Sequence, residues 1–366
     1  MHSKPFTLMQ FTLGLIFVLL GSQFCLGGDN TAPAATTELE QMVVKAQSIG
    51  STRQTSDPLF SWNGLTSDGL KLAGSGGFTS IHQALSQLPG LNPELTDPSG
   101  IGSAEMRLRG IKSMFTSLAV EGIPNYGIMS VGPRDYIYDL ENMAEINLYH
   151  GATPAALSSG TGNRGGSIAI NYARPTDNFA LQLKQDLGSN SLTRSFFRLD
   201  SGTLPSMSKF FLSGSYTKAD KWKGAGQVGG RDHITLGVSQ KFTDNLDAEL
   251  FYNYNNVEQD LYKDLDYDQA RHISHHHNDD YLENLTGTPA DIDYYKFHHR
   301  NCRNHDTTIT LNYHPTANHS FSLKPYFSTE DKKWLDGNTD KYVESERYGA
   351  KFEYVGDWSG AQISTG

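Results

Sequence analysis

Residues 160–170 read GTGNRGGSIAI, and the interpretation of this glycine-rich stretch decides between two very different folds for the chain. Its first six residues fit the G-x-G-x-x-G pattern of dinucleotide-binding proteins. That pattern requires a helix that begins inside it, because the helix N-terminus supplies the amides that bind the pyrophosphate. The residues that follow, 167–173, instead alternate, include β-branched side chains and end ahead of Pro175. They predict a short strand, so we interpret the glycines as a tight turn between two buried strands.

Bulk composition narrows the class of protein. The chain has 366 residues, of which 37% are hydrophobic, and a mean hydropathy of -0.47, which excludes a helical membrane protein. Its 36 glycines, 18 tyrosines and 18 phenylalanines are typical of β-proteins in which aromatic strands are joined by tight turns. A net charge of -10 argues against nucleic acid as a partner. We find no Ser-His-Asp arrangement on a nucleophile elbow and no HExxH motif, so we expect neither an enzyme nor a resident cofactor.

The N-terminus predicts a secretory signal peptide over residues 1–28. Lys4 supplies the positive charge, residues 6–20 form an apolar core, and small residues follow at Gly21, Ser22, Gly27 and Gly28. The alternative is a membrane anchor, which needs an apolar span of about 20 residues. Cleavage leaves Cys302 as the sole cysteine of the mature chain, which excludes a disulfide framework. Residues 29–41 are small and polar, and we expect a mobile leader there.

The pattern of apolar and polar residues in the sequence changes at Pro175. From residue 78 to 174 it is mixed: a short amphipathic helix begins at Ile81 and ends at Pro89-Gly90, and short strands are predicted at 106–108, 117–120 and 145–149. After Pro175, apolar and polar residues alternate with period two. Eight strands of about ten residues are predicted, the length of a tilted membrane strand. They lie near 179–187, 192–201, 209–217, 234–242, 246–255, 307–313, 320–329 and 348–354.

The connections between these strands favour a membrane barrel. Residues 202–208, 243–245 and 314–319 are short, whereas 218–231, 256–306 and 330–346 are long and polar; only 188–191 breaks the alternation. Transmembrane barrels have short turns at the periplasmic end and long loops outside. A secreted β-sandwich without transport is the alternative, but it has no reason to place every long connection at one end.

Four segments, taken in order, resemble the plug domain of TonB-dependent outer-membrane receptors. They are Ile81 to Leu91 with its Leu-Pro-Gly stop, Leu108-Arg109-Gly110-Ile111, Val120-Glu121-Gly122-Ile123-Pro124, and the stretch from Glu145 to Gly151 continued by Gly160 to Ile170. The structural residues of these motifs are Pro89, Gly90, Arg109, Gly110, Glu121, Gly122, Pro124, Gly151, Gly160, Gly162, Gly165 and Gly166. A closed porin has no plug with this order of motifs.

The resemblance implies an energy-coupling segment. Residues Met42, Val43, Val44, Lys45 and Ala46 are similar to the TonB box, which pairs by strand addition with the periplasmic protein TonB. It also implies a division into a TonB box and plug domain over 42–175 and the N-terminal part of a barrel over 176–366. Receptors of this family close 22 strands around a plugged lumen. Since eight strands are predicted here, we expect a fragment or a truncated product.

The function implied is energy-coupled uptake of a scarce ligand across the outer membrane of a Gram-negative bacterium, in contact with outer-membrane lipid. The ligand would bind between the long loops and the plug apex, at residues 97–103 and 125–134. A ferric siderophore is the usual cargo of the family, and haem, cobalamin and metal ions are alternatives.

The connection 256–306 suggests one further site. It contains seven of the chain's 13 histidines together with Cys302, Asp279, Asp280 and Glu283. Imidazole, thiolate and carboxylate groups suit Zn²⁺ or Cu²⁺. The alternative is a hydrophilic connection without bound metal. The candidate ligands are His272, His275, His276, His277, His298, His299, Cys302 and His305.

Overall fold

The computed structural model describes residues 52–54, 60–73, 81–102, 104–112, 115–125, 134–154, 157, 164–358 and 361–366. The predicted signal peptide, leader and TonB box lie outside these residues, as do Gly160 and Gly162. All of the described residues belong to one compact unit, residues 49–366. No helix in these ranges is long and apolar enough to span a lipid bilayer.

Up to residue 172 the described residues form short strands and two short helices, which we call the plug region. In chain order these are β1 (Thr52–Gln54), β2 (Trp62–Thr66), α1 (Ser67–Ala73), α2 (Ile81–Leu85), β3 (Leu91–Leu95), β4 (Ala104–Leu108), β5 (Ile111–Lys112), β6 (Ser117–Val120), β7 (Ile123–Pro124), β8 (Met143–Tyr149) and β9 (Ser167–Tyr172). The predicted helix and the predicted strands at 106–108, 117–120, 145–149 and 167–173 are confirmed.

Two sheets organise the plug region. One has the order β1-β2-β8-β9-β6-β7, with β6 and β9 parallel, and the other is the antiparallel set β3-β4-β5. Strand β6 is buried at every residue and β9 at all but Asn171. Central strands that are covered on both faces favour continuous apolar sequence over alternation. This explains why SIAI after the glycines reads as a buried strand.

Residues 179–365 form a single antiparallel meander, which we call the wall. Each strand pairs with the next along the chain. The strands are β10 (Phe179–Leu187), β11 (Thr193–Ser201), β12 (Ser208–Asp220), β13 (Gln227–Thr243), β14 (Leu246–Asp260), β15 (His298–Thr316), β16 (His319–Asp336), β17 (Thr339–Trp358) and β18 (Ala361–Thr365). Connections 188–192, 221–226, 261–297 and 337–338 lie at one end, the loop end, and 202–207, 244–245 and 317–318 at the other, the base end.

The wall corrects the predicted number of strands and the bounds of the three predicted long connections. All eight predicted strands are present, but a ninth, β18, follows them. The predicted long connection 330–346 is wrong: β16 and β17 pair throughout it, up to Asp336 opposite Thr339. The other two predicted long connections are shorter than expected, 221–226 in place of 218–231 and 261–297 in place of 256–306. Residues 330–346 carry polar side chains on both faces of the strands, so hydropathy shows no alternation, although backbone pairing continues.

The apolar core lies in the plug region and reaches the wall. Leu85, Met106 and Ile146 are fully buried within it, and wall residues Phe211 and Phe251 belong to the same cluster. The rings of Tyr172 and Phe251 stack with centroids 4.8 Å apart. Apolar packing therefore seats the plug region against the inner face of the wall.

Candidate functional site

The motif turn at Glu121 ties the plug region to the base end of the wall. Glu121 and Gly122 adopt positive φ angles of 54° and 76°. The Glu121 carboxylate accepts hydrogen bonds from Arg174 Nη1 at 2.6 Å and Nη2 at 2.7 Å. Arg174 Nη2 also donates to Glu249 Oε2 on β14 at 2.7 Å. Bidentate pairs of this kind are strong and directional, so the turn is fixed in position.

Two lysines of the wall complete this contact. Lys324 Nζ on β16 donates to the backbone oxygen of Glu121 at 3.2 Å, and Lys351 Nζ on β17 donates to that of Gly122 at 2.7 Å. The two lysines are direct partners across the strands. The motif turn is thus held by three wall strands at once.

A second anchor centres on the fully buried carboxylate of Asp139. It lies 2.6 Å from Arg231 Nη1, 3.0 Å from His233 Nδ1 and 3.5 Å from Arg194 Nη2. Burial by itself would raise the pKa of Asp139, but the charges of His233, Arg231 and Arg194 hold it well below its ordinary value. Asp139 is therefore an ionised group inside the plug–wall interface. We call Glu121 and Asp139, with their wall partners, the charged anchors.

Arg134 adds a third polar contact between plug region and wall. Its Nε donates to Asn125 Oδ1 at 2.7 Å, and its Nη2 donates to Asp306 Oδ1 on β15 at 2.7 Å. These two residues bound the predicted apex stretch 125–134, whose interior, 126–133, lies outside the described residues. Arg134, at one end of that stretch, therefore binds the wall, and Asn125, at the other end, binds Arg134.

Residues 96–102, which we call the apex loop, meet the wall at the loop end through neutral contacts. Asp97 shapes the loop by accepting from the backbone nitrogens of Ser99 at 2.8 Å and Gly102 at 2.5 Å. Trp222 Nε1 donates to the backbone oxygen of Thr96 at 2.9 Å, and Gln259 Nε2 donates to that of Ile101. The loop lies where the sequence places the plug apex.

A small apolar cluster surrounds Ile101. It contains Ala219, Val228, Val257 and Cys302 from the wall, with Tyr136, Leu192 and Tyr262 packed against it. Tyr136 donates its hydroxyl to Glu330 Oε1 at 2.9 Å, and burial raises its pKa well above the ordinary value. Because Tyr262 belongs to the connection 261–297, the apex loop and that long connection share one cluster.

The long connection is itself tied to the neighbouring hairpin. Lys221 Nζ and Asp280 Oδ2 form a buried ion pair at 2.6 Å. Tyr281 stacks on His298 with centroids 3.6 Å apart, and burial raises the pKa of Tyr281 to about 12. A cavity of about 460 Å³ lies between the two connections, within the usual size range of ligand sites. It is lined by Gly224, Ala225, Lys263, Gln269, Asn278, Asp279, Asp280, Tyr281 and Glu283.

The structure disperses the eight candidate metal ligands. His272, His275, His276 and His277 lie on two exposed short helices, α3 (Tyr267–Arg271) and α4 (Ile273–His276), and at their ends. Four others lie on β15: His298 pairs with Asp336, His299 with Asp260 and His305 with Tyr252, while Cys302 is in the apolar cluster. Among the described residues, no three His, Cys, Asp or Glu side chains are grouped to hold a metal ion.

The motif glycines differ in their surroundings. Gly166 has a φ angle of 124°, and a Cβ there would lie 2.3 Å from the backbone oxygen of Tyr149. A Cβ at Gly165 would lie 2.9 Å from Thr116 Oγ1, whereas one at Gly151 meets no atom within 4 Å. The close approach of the Tyr149 backbone and the positive φ angle thus require glycine at 166, while at 165 a larger residue would press on the Thr116 side chain. The remaining described motif residues form turns, Pro89 and Gly90 after α2, Arg109 and Gly110 before β5, and Gly122 before β7, except Pro124, which is the second residue of β7.

Sequence reasoning missed most of the wall residues in these contacts. Arg194 lies in a predicted strand, whereas Arg231 and Gln259 fall in the predicted connections 218–231 and 256–306, which the structure makes strand at these positions. Their partners also lie far away in sequence: Asp139 and Arg231 are 92 residues apart. One available signal is a charged residue at an inward position of an otherwise neutral strand, since such a charge needs a buried partner.

Comparison with known proteins agrees with this geometry. A family model described as TonB-dependent Receptor Plug Domain matches residues 61–167. The matched region includes the Glu121 turn, the apex loop and Gly165-Gly166. A search of curated proteins gave no match.

Solved structures match both the plug region and the wall. The siderophore receptor PiuA from Acinetobacter baumannii is 14% identical with a TM-score of 0.61, over 83% of this chain and 44% of that one. The ferric yersiniabactin uptake receptor FyuA from Yersinia pestis is 16% identical with a TM-score of 0.64, over 84% and 47%. FpvA from P. aeruginosa, solved with pyoverdine and iron, is 12% identical with a TM-score of 0.62, over 84% and 41%. The chain spans less than half the length of these receptors and shares their fold.

Proposed function

Because the chain carries a TonB-dependent receptor plug domain and has the fold of those receptors over its plug region and wall, we propose that it serves energy-coupled ligand uptake across an outer membrane. Plug domains belong to transport receptors and not to enzymes, and this assigns the general class. The cargo, the coupling partner and the location are the parts we propose. The cargo is a ferric siderophore, the partner is TonB, and the location is the outer membrane of a Gram-negative bacterium.

One observation carries the proposal. The plug region is fastened to the inner face of the wall by the charged anchors, while its apex loop shares an apolar cluster with the longest connection of the wall. A ligand bound at the loop end would therefore touch both the plug and the wall. This is the arrangement needed for ligand binding to be sensed by the plug.

Solved structures with the same fold support the cargo. They include a siderophore receptor, a ferric yersiniabactin uptake receptor and a receptor solved with ferric pyoverdine. At identities of 12–16% they support a class of ligand and not one compound. The dispersal of the histidines over α3, α4 and β15 gives a free metal ion no comparable support.

Coupling is proposed to act through residues Met42 to Ala46. Strand addition depends on backbone hydrogen bonds, so proline in this segment should block it while a side-chain change should not. We expect Val43→Pro and Val44→Pro to abolish accumulation of radioactive ferric siderophore by cells, and Val43→Ala to preserve it.

Binding at the cell surface separates the steps. The proline variants should still bind the ferric siderophore in energy-depleted cells, because the loop end is unchanged. Uptake that survives both prolines would place the coupling segment elsewhere. Absence of binding to any ferric siderophore, in wild type as well as variants, would refute the proposed cargo.

A further inference from the structure

Two arginines, one from the plug region and one from the wall, converge on a single serine of β16. Ser328 Oγ accepts a hydrogen bond from Arg134 Nη2 of the plug region at 3.3 Å and another from Arg347 Nη2 of β17 at 3.3 Å. A hydroxyl oxygen has two acceptor lone pairs, so it can serve both donors. The two guanidinium groups are therefore held close together although their charges repel each other.

Arg134 is the arginine that holds the nearby carboxylate. Its Nη2 donates to Asp306 Oδ1 on β15 at 2.7 Å. Arg347, in contrast, has two buried donors, Nε and Nη1, that find no hydrogen-bond partner within the described residues. The second carboxylate oxygen of Asp306, Oδ2, is also buried without such a partner there. Unused buried donors and an unused buried acceptor are uncommon in native proteins, and here they lie on neighbouring strands of one sheet.

The register of the wall places Arg347 within reach of that carboxylate. Asp306 is the direct cross-strand partner of Ser328, and Ser328 is the direct partner of Arg347. The three residues thus form one row across β15, β16 and β17, whose backbones lie about 4.8 Å apart. The Arg347 side chain already crosses the first gap to reach Ser328 Oγ. A change in its side-chain torsions would carry the guanidinium on to Asp306 once Arg134 has left.

Asp306 is the carboxylate that is open to Arg347. The charged groups that act on Arg347 are Arg134, which repels it, and Asp306, which attracts it. Glu330, the buried carboxylate two positions beyond Ser328, accepts from Tyr136 of the plug region at 2.9 Å. Arg134 therefore both occupies Asp306 and keeps Arg347 away from it.

We propose that Arg347 is a reserve partner for Asp306, which binds this carboxylate when Arg134 moves away with the plug region. The exchange keeps Asp306 paired whether or not the plug region is seated, so opening this contact strands no buried charge. At the Asp139 anchor, by contrast, Arg231 and His233 of the wall lose their shared carboxylate if the plug region leaves. The exchange goes beyond the proposed uptake and does not depend on its cargo.

Denaturant unfolding of the full chain in detergent tests the exchange, with Arg347→Gln made both in wild type and in Arg134→Gln. In wild type Arg134 already holds Asp306, so we expect Arg347→Gln to leave the unfolding equilibrium constant unchanged or to lower it. Arg134→Gln alone should raise the constant by less than about 100-fold, because Arg347 takes over the carboxylate. In that variant Arg347→Gln removes the remaining partner of Asp306 and should raise the constant by a further 30-fold or so, or more.

Matched variants separate the exchange from a general effect of charge. Lys333 lies on the opposite face of β16, 3.8 Å from Asp340, so Lys333→Gln should have little effect in either chain. Arg134→Lys keeps a positive charge beside Asp306, and Arg347→Gln should be tolerated there as in wild type. In Asp306→Asn the effect of Arg347→Gln should no longer depend on residue 134, because the carboxylate that both arginines share is gone.

A cost of Arg347→Gln that appears only without Arg134, and that disappears in Asp306→Asn, supports the exchange. Equal effects of Arg347→Gln in wild type and in Arg134→Gln overturn it, and so does a dependence that persists in Asp306→Asn. Failure of Arg134→Gln to fold also overturns it, because Arg347 should then hold the carboxylate. If the double variant does not fold, recovery of folding by Asp306→Asn supports the exchange and no recovery overturns it. These measurements use no ligand, so their failure leaves the proposed uptake intact.

Discussion

The plug region contacts the wall in two chemically different ways. The charged anchors use buried carboxylates, each held by two or more cationic or amide donors, as at Asp139 between Arg231 and His233. The apex loop uses neutral donors, Trp222 and Gln259, that reach backbone oxygens. Neutral hydrogen bonds contribute about 0.5–1.5 kcal/mol each, whereas removing one partner of a buried ion pair costs about 3–5 kcal/mol.

This difference indicates which part of the interface between the plug region and the wall can open first. Segments with few strong contacts open locally at lower free energy than the core around them. The apex loop is therefore the part of the plug that a ligand at the loop end could move, while the charged anchors keep the rest in place. The following changes are chosen to break each kind of contact separately.

Asp139→Asn should give the largest effect. The change leaves Arg231 and Arg194 buried without their shared carboxylate, so we expect the free energy of unfolding to fall by about 3–5 kcal/mol. Denaturant unfolding of the chain in detergent measures it. Asp244→Asn, at an exposed residue paired with Lys241, is the matched control and should be nearly silent. Similar losses from both would show that Asp139 is no anchor.

Lowering the pH should reduce the stability of the wild-type chain for the same reason as this substitution, because it removes the charge of Asp139. The pKa of folded Asp139 lies well below its ordinary value of about 3.9. A carboxyl with a depressed pKa contributes its full stability above the ordinary value and loses it as pH falls through the folded one. Wild type should therefore lose stability below about pH 4 more steeply than Asp139→Asn does. Parallel pH profiles for the two chains would contradict the assignment.

Gly166→Ala should lower the free energy of unfolding by an intermediate amount. The change disturbs packing within the plug region and leaves its contacts with the wall in place. Its φ of 124° and the approach of the Tyr149 oxygen leave no place for a Cβ, so we expect a loss of about 1–3 kcal/mol. Gly151→Ala introduces its methyl group into open space and is the paired control. Equal melting temperatures for the two variants would refute the explanation that close packing requires glycine at position 166.

Trp222→Phe should have the smallest global effect. It removes one neutral donor to the apex loop, Trp222 Nε1, from a partly exposed side chain and keeps an aromatic ring there, so we expect about 1 kcal/mol or less in overall unfolding. Hydrogen exchange should nevertheless speed up at residues 96–102 while β6 and β9 stay protected. Faster exchange throughout the plug region would show that the two kinds of contact are not independent.

The sequence predicts the plug region better than the wall, and the reason is local chemistry. The turn at Glu121-Gly122 and the strand after Gly166 depend on backbone conformations that few residues adopt, so their motifs can be recognised in a single chain. The existence of the wall strands follows from alternation. Their ends do not, because residues 330–346 are polar on both faces and only pairing with a neighbour keeps them extended.

Prediction of the candidate site from the sequence has the same limit, because contacts between distant segments decide it. The resemblance to plug domains implies an apex at residues 97–103, but it does not identify the partners of Asp139 and Glu121, which come from strands far along the chain. The histidines suggested a cluster because they are close in sequence. Strand β15 begins at His298 and places His298, His299, Cys302 and His305 along an extended backbone, and no three candidate ligands among the described residues are grouped to hold a metal ion. Only the register of β14, β15 and β16 decides these distances.

Hydrogen exchange of the full chain, with and without a bound ferric chelate, tests the central claim most directly. We predict that β6, β9 and the segment around Asp139 exchange slowly in both states, and that ligand changes protection chiefly at residues 96–102 and in the connection 261–297. Ligand-induced change at the charged anchors with none in the apex loop would contradict this account.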